Sequence, residues 1–416
     1  MGRLLSALLL ALCHVPLQLL AEEAQGRHQL AWGWEGGYVN LSGLSPRTDG
    51  ALGKFRFQDE GLVASRGFFE YTGRITDTWS AHAAMEAYDD NVGDIADVTE
   101  AYLEWRPVPR SATRYRLKVG AFYPRISLEN TGLGWSSPYT LNSSTINTWV
   151  AEELRTFGAE LSASRRPLRF GGAHAFSATV AVFTGNDPAG ATLAWQGWAI
   201  HDRQLRLRDK WPLPPLPAFS PGNVFELQAP LHEPFRDVDG RLGYTVNLEW
   251  RYKRRLLVRA MHYDNRADPL ALDDGQYGWA TRFRHIGVQA SLPGDIGLLA
   301  QWMSGSTAMG PIVNARNAVD LDFGAAYLLV TRSFDDHRVT ARYDHFYVDD
   351  YDPTPMDNNA EDGHAWTASY QCAFNERVSL AAEWVRIDSY RPAYRYLGLP
   401  ANAIEEQRQL MLRMRF

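Results

Sequence analysis

The sequence predicts an all-β fold, a single closed antiparallel transmembrane β-barrel of about sixteen strands. Three observations predict it. Segments of roughly ten to thirteen residues with period-two alternation recur along the chain, and stretches with helical period are almost absent. The links between these segments alternate between tight turns and long loops. The last segment, Gln409 to Phe416, alternates Leu410, Leu412, Met414 and Phe416 with polar residues and ends on an aromatic.

The chain opens with Met1-Gly2-Arg3, an apolar run from Leu4 to Leu20, then Ala21 before Glu22-Glu23. This pattern predicts a signal peptide over 1–21 and a barrel over 22–416. A membrane anchor fits less well, because His14, Pro16 and Gln18 interrupt the run. Cys13 raises a lipoprotein signal, but Leu12 precedes it where a small residue is required. Beyond Ala21 no run is apolar for long enough to form a membrane helix. The mean hydropathy of -0.33 fits a soluble secreted protein or a barrel, which is apolar on one face only. Cys372 is the single cysteine after the leader, so no disulfide forms within the exported chain.

The strands are amphipathic in the way a lipid-facing, water-filled cylinder requires. In 241–251, Leu242, Tyr244, Val246, Leu248 and Trp250 share one face, opposite Arg241, Asn247, Glu249 and Arg251. In 114–123, Tyr115, Leu117 and Val119 oppose Arg114, Arg116 and Lys118. In 364–374, Trp366, Tyr370 and Phe374 oppose Thr367, Ser369 and Gln371. Short links fall near 77–78, 107–113, 165–172, 253–254, 293–294, 333–336 and 375–376. Long links fall near 41–64, 90–95, 124–152, 185–239, 266–276, 306–318, 349–362 and 389–403. Seven turns and eight loops make sixteen strands with both termini on the short-turn side.

Some segments are less regular. Arg282 and Arg284 share a face with Ile286 and Val288, which predicts a bulge near His285. Leu328, Leu329 and Val330 define no clear face. Arg259 is assigned to the interior, because lipid exposure would cost it several kcal/mol. Aromatic girdles are expected at Trp79, Trp105, Trp250, Phe374 and Phe416 on the turn side, and at Trp279, Trp302, Tyr347, Trp366 and Trp384 on the loop side.

The formal net charge of -6 gives no indication of nucleic-acid binding. Only four lysines occur, Lys54, Lys118, Lys210 and Lys253, so the basic residues are nearly all arginine. A GC-rich genome and a channel that handles anions both account for this. Arg114, Arg116 and Lys118 form an inward ladder about 14 Å long. Arg241, Arg251, Arg338, Arg342, Arg413 and Arg415 are further interior candidates, with Glu100, Glu104, Glu160, Glu249, Asp344 and Glu383 among the acids. The ladder has two readings: selective anion binding, or structural pairing with Glu100 and Glu104.

Loop 124–152 carries Arg125, Glu129, Asn130, Trp135, Tyr139 and Trp149, with Gly132 and Gly134 permitting sharp bends. We read it as folding inward to line a constriction; the alternative is an ordinary external loop. The proline-rich run 211–217 in the loop 185–239 is expected to be extended and to cap the outer mouth. The acidic run from Asp349 to Asp362 is read as a solvated loop or as cation-bridged to lipopolysaccharide. No GxSxG, HExxH, CxxC or Walker motif is present, and no cofactor or metal set is read from spacing.

Taken together, the mature chain resembles the Gram-negative outer-membrane porins. The passage Lys118-Val119-Gly120-Ala121-Phe122-Tyr123-Pro124 into Ser127-Leu128-Glu129 is similar to the phosphate-selective porins O and P. That group has a lysine-rich pathway, from which this chain departs. The resemblance implies an outer-membrane channel for small hydrophilic solutes with a weak anion preference, a homotrimer, and a basic pore lining. It also implies lipopolysaccharide as surrounding lipid and recognition of the last strand by the barrel-assembly machinery. Two other readings stand beside it. One is a sugar or polysaccharide channel, with Trp135, Tyr139 and Trp149 stacking on sugar rings; the other is a barrel enzyme or adhesin without channel activity.

Overall fold

A computed structural model describes residues 27–90, 92–165 and 172–416; the expected signal peptide lies outside the described residues. Among these residues, sixteen strands close into one antiparallel barrel. The first eight are β1 (His28–Ser42), β2 (Gly61–Arg74), β3 (Trp79–Ala87), β4 (Ala96–Trp105), β5 (Thr113–Phe122), β6 (Thr156–Arg165), β7 (His174–Thr184) and β8 (Gly243–Tyr252). The rest are β9 (Leu256–Asp264), β10 (Arg282–Leu292), β11 (Ile296–Val313), β12 (Arg316–Phe334), β13 (His337–Asp350), β14 (Glu361–Ala373), β15 (Val378–Tyr390) and β16 (Asn402–Arg415). No described helix is long and apolar enough to cross a membrane.

Each strand pairs with its sequence neighbour, and β1 closes the sheet against β16. At the seam, the Trp32 and Phe416 backbones exchange hydrogen bonds of 3.0 and 2.8 Å. Their rings stack 4.3 Å apart. The terminal aromatic thus sits where the cylinder is sealed.

The outer face is apolar. Leu103, Val119, Leu161, Val180, Leu248, Leu328 and Trp366 point away from the barrel and are exposed in the isolated chain. A closed sheet leaves no unpaired edge in lipid, so the fold is an integral, multi-pass membrane barrel of the outer-membrane type.

Three expectations about the wall are corrected. The pairing of β10 with β9 and β11 runs without a shift through His285, so no bulge exists there. Arg282 and Arg284 face outward and exposed, at the loop end of β10, above the apolar band. The expected long loop 306–318 is absent: β11 and β12 run on to a two-residue turn at Asn314-Ala315, both with positive φ (51° and 69°). Trp279 belongs to no girdle. It is 1% exposed and packs edge-on against Trp195 at 4.9 Å.

The largest departure is in the interior. The alternating pattern predicts a wet lumen, yet the barrel encloses a continuous apolar cluster. It includes Trp149, Trp195, Trp198, Phe283, Phe323, Leu329 and Phe346. The cluster is built from two loops that fold inward, and these loops define the site.

Candidate functional site

The first inward loop follows β5. It enters past β8 and β9, where Asn247 donates to the Arg125 carbonyl at 2.7 Å and Arg259 donates to the Ser127 carbonyl at 3.0 Å. It crosses to β2, whose Glu70 accepts from the Gly134 amide at 2.7 Å. Gly134 has φ 63°, and a Cβ there would lie 2.7 Å from the Phe68 ring, so glycine is required. The loop then meets the far wall. The amides of Leu141 and Asn142 donate to Glu383 of β15 at 2.6 and 2.9 Å, and that of Thr145 donates to Asp344 of β13 at 3.0 Å. Ser144 caps the following helix α1 (Thr145–Glu153), accepting from the Asn147 amide. Wall carboxylates thus satisfy backbone donors that would otherwise be buried without partners.

The second inward loop follows β7 and contains helix α2 (Ala191–Gln196). Glu153 at the end of α1 joins the two loops. It accepts from the Gly190 and Thr192 amides at 2.9 and 2.8 Å and from Trp149 at 2.6 Å, and meets His232 at 3.0 Å. Burial raises the Glu153 carboxyl, but His232 and these donors outweigh it and hold it below the usual carboxylate range. Past α2, Lys54 donates to the Trp198 carbonyl at 2.9 Å and pairs with Glu361. The Leu207 amide reaches the Val98 carbonyl of β4 at 2.8 Å. The proline-rich run 211–217 joins the interior packing through its own Trp211, Leu213 and Leu216, all buried.

The strap 201–206 is tied to the β1–β4 side of the wall. Asp202 pairs with Arg56, and Arg203 reaches Asp90 at 2.6 Å. Gln204 bonds Tyr123 at 2.5 Å, Tyr88 through its amide at 3.0 Å, and Glu86. The remaining roof is Trp135, stacked on Tyr123 at 4.5 Å, and Arg155, 3.4 Å above the same Tyr123 ring.

Around β7–β16 the inward side chains at mid-height are at most 8% exposed, for example Thr179, Glu249, Leu299, Arg342, Glu383 and Gln407. Below the roof on the β2–β6 side, Glu70, Glu100, Tyr102, Arg116 and Lys118 keep access to water. The open part of the lumen is therefore a vestibule on the short-turn side, and the two loops plug the barrel above it.

The cations of the vestibule reach water, alongside half-buried Glu70 and Glu100. Arg114 is exposed, and Arg116 keeps 24% of its side chain exposed while pairing with Glu160 at 3.1 Å and Glu104 at 3.6 Å. Lys118 sits 4.3 Å over the Tyr102 ring. Arg251 is half exposed and pairs with Glu249 at 2.7 Å. The carboxylates of Glu104, Glu160 and Glu249 lie behind these cations, 8% exposed or less. Glu100 is turned to the Tyr123 amide at 2.8 Å. Arg125 points toward the same space, half-buried.

Other residues read from the sequence as pore-lining sit elsewhere. Arg342 is fully buried and ties down the first loop. It bonds Asp344 at 2.7 Å, Glu129 at 3.2 Å and the carbonyls of Asn142 and Ser143 at 3.0 and 2.9 Å. Glu129 and Asn130 are buried with it. Arg338 lies over the Tyr139 ring at 5.4 Å and binds the Pro138 carbonyl. Arg241 lies above the end of β8 at the outer mouth, 2.8 Å from Asp268. Trp149 is 2% exposed and has no face free for a ligand. Sequence reasoning missed Lys54, Gln204 and the strap. The signal of the last two, the run His201 to Arg206 inside a long loop, polar but for Leu205, reads equally as solvated surface.

No family model matches the sequence, and no curated protein aligns with it. Solved structures share the fold. The outer membrane channel DcaP of Acinetobacter baumannii superposes with a TM-score of 0.53 at 10% identity, over 94% of this chain and 97% of that one. The anion-selective porin from Comamonas acidovorans gives 0.50 at 11%, over 94% and 100%. A trimer form of OmpT, an outer membrane protein of Vibrio cholerae, gives 0.50 at 9%, over 94% and 99%. The barrel therefore has the architecture of outer-membrane porins.

Proposed function

We propose that this protein is an outer-membrane channel through which small hydrophilic solutes diffuse, with a weak preference for anions and a lumen closed by its own loops in this conformation. The observation that carries the reading is the charge layering of the vestibule. Arg114, Arg116, Lys118, Arg125 and Arg251 reach water, whereas Glu104, Glu160 and Glu249 are buried behind them. Pairing and anion attraction therefore coexist: each carboxylate orients a guanidinium whose outer edge stays available to an oxyanion. A phosphate-like substrate is the finer version of this reading.

Passage requires the strap 201–206 to leave the β1–β4 wall, because Gln204 and Tyr123 otherwise seal the vestibule from above. Trp135 keeps part of its surface accessible, which leaves room for a sugar channel, but burial of Trp149 removes one of the three stacking surfaces. A homotrimer in a lipopolysaccharide bilayer, inserted by the barrel-assembly machinery, is the assembly this reading takes. Planar-bilayer recordings with ion substitution test it. The reading expects openings with anion-favouring reversal potentials; cation preference removes the vestibule from the mechanism. Zero conductance at every voltage, together with activity on lipid or peptide, favours a barrel enzyme or adhesin.

A further inference from the structure

Two arginines stand on the outward face of β10, at the edge of the lipid band. Arg282 and Arg284 are both exposed and two residues apart, so their Cα atoms are separated by about 7 Å. One row below them, Ile286 and its cross-strand partner Trp302 are 46% and 45% exposed and mark the top of the apolar surface. The Arg284 side chain makes no hydrogen bond or ion pair among the described residues. The Arg282 side chain donates only to the Ser306 hydroxyl, through Nε at 3.2 Å, which leaves its terminal nitrogens free.

Acids share the row without pairing to these cations. Asp264 of β9 lies opposite Arg282, and Asp322 of β12 lies opposite Ser306. Neither forms an ion pair with an arginine of β10 among the described residues. Asp264 accepts instead from the Arg266 amide at 2.8 Å. Elsewhere on the outward face the loop-side arginines are neutralised by the wall itself. Arg386 of β15 meets Glu406 at 2.9 Å and Asp388 at 3.4 Å, and Arg408 of β16 meets Glu406 at 3.3 Å. An arginine on the lipid face is costly at mid-bilayer and tolerated at the interface, where headgroups supply the counter-charge.

We propose that Arg282 and Arg284 bind a phosphate group of a lipopolysaccharide molecule seated on β9–β12. Guanidinium forks take phosphate oxygens in pairs, and two forks on one strand face can hold one headgroup between them. His262, opposite Arg284 on β9, bonds the Tyr244 hydroxyl at 3.3 Å and adds a polar ring to the same patch. On the other side the neighbours are small: Ser304 lies opposite Arg284, and Gly324 lies opposite Ser304. The Tyr347 ring lies across Gly324. A headgroup thus has room beside the arginines against Tyr347, with acyl chains running down over Trp302 and Ile286. The long-loop side of an outer-membrane barrel faces outward, which assigns the phosphate to the lipid of the outer leaflet. The site is independent of whether the lumen conducts.

The test is titration of the folded barrel in detergent with rough-type lipopolysaccharide, followed by native mass spectrometry. Chelator is present throughout, so that divalent bridges to the acids play no part. The proposal expects a saturable site, and about tenfold weaker binding when Arg282→Gln and Arg284→Gln are combined. Wild type should lose as much when the same lipid has had its phosphates removed, an arm that needs no variant and so is untouched by misfolding. Arg386→Gln combined with Arg408→Gln should bind as wild type does, and millimolar inorganic phosphate should not displace the lipid. No saturable binding, wild-type affinity in the β10 variant, or equal binding of the phosphate-free lipid would each overturn it. So would a loss confined to the β15–β16 variant, or displacement by inorganic phosphate, which would make the ligand a free anion.

Discussion

Arg342 of β13 reaches Glu129 of the first inward loop across 3.2 Å, and both side chains are wholly buried. The same guanidinium holds Asp344 beside it and two loop carbonyls above it. One arginine thus fixes the position of the loop relative to the wall. Removing it leaves Glu129 and Asp344 buried without a counter-charge, which typically costs about 3–5 kcal/mol. Arg342→Ala is expected to release the first loop and raise the frequency and size of openings in planar bilayers. Unchanged openings would show that the loop is held by other contacts.

Selectivity rests on the vestibule. Arg116→Glu places a negative group beside Glu104 and Glu160, where the wild type presents a partly exposed cation. Reversal potentials in a salt gradient should shift toward cation preference, with the barrel still folded. An unshifted potential would assign Arg116 a purely structural part.

The plug draws its stability from packing. Trp195 is fully buried against Phe219, Phe225 and Trp279, with ring centroids 4.8–5.8 Å away. Trp195→Ala should destabilise the plug by about 3–5 kcal/mol through loss of burial and the cavity left behind. The barrel wall makes its own hydrogen bonds, so proteolysis should cut the loop 185–239 earlier than any strand. Equal protection of loop and wall would mean that plug and barrel unfold as one unit.

Asp357 gives a pH dependence of definite sign. Its folded pKa is raised to about 8, above the ordinary aspartate value. Below that ordinary value, both folded and unfolded states are protonated and no penalty exists. Between it and about 8 the unfolded state ionises first, so stability falls as pH rises, by at most about 1.4 kcal/mol per unit. Wild type should melt lower at pH 8.5 than at pH 5 by more than Asp357→Asn does. Parallel pH profiles would place the titration elsewhere.

The wall was largely legible from the residues. Alternation in 241–251 and 114–123 assigns the faces that Leu248 and Arg116 occupy. Arg259 lies inside, as the lipid penalty requires, paired with Glu249 at 2.7 Å. What alternation does not show is a dry interior. Leu328 and Val330 face lipid, and Leu329 between them is also apolar because it packs on the plug. The segment had no polar face for the sequence to reveal. Trp279 reads as a girdle residue for the same reason: an aromatic is equally at home against lipid and against Trp195. Arg342 and Arg116 look alike in sequence, and only the path of the loop makes one an anchor and leaves the other facing water.

Closure of the lumen is tested most directly by single-channel recording of wild type beside a variant with residues 198–207 replaced by a short glycine-serine linker. Wild type should be shut for most of the record, with brief anion-favouring openings, and the variant should hold a steady, larger conductance. A wild-type channel that stands permanently open at the variant's conductance would contradict a barrel plugged by its own loops.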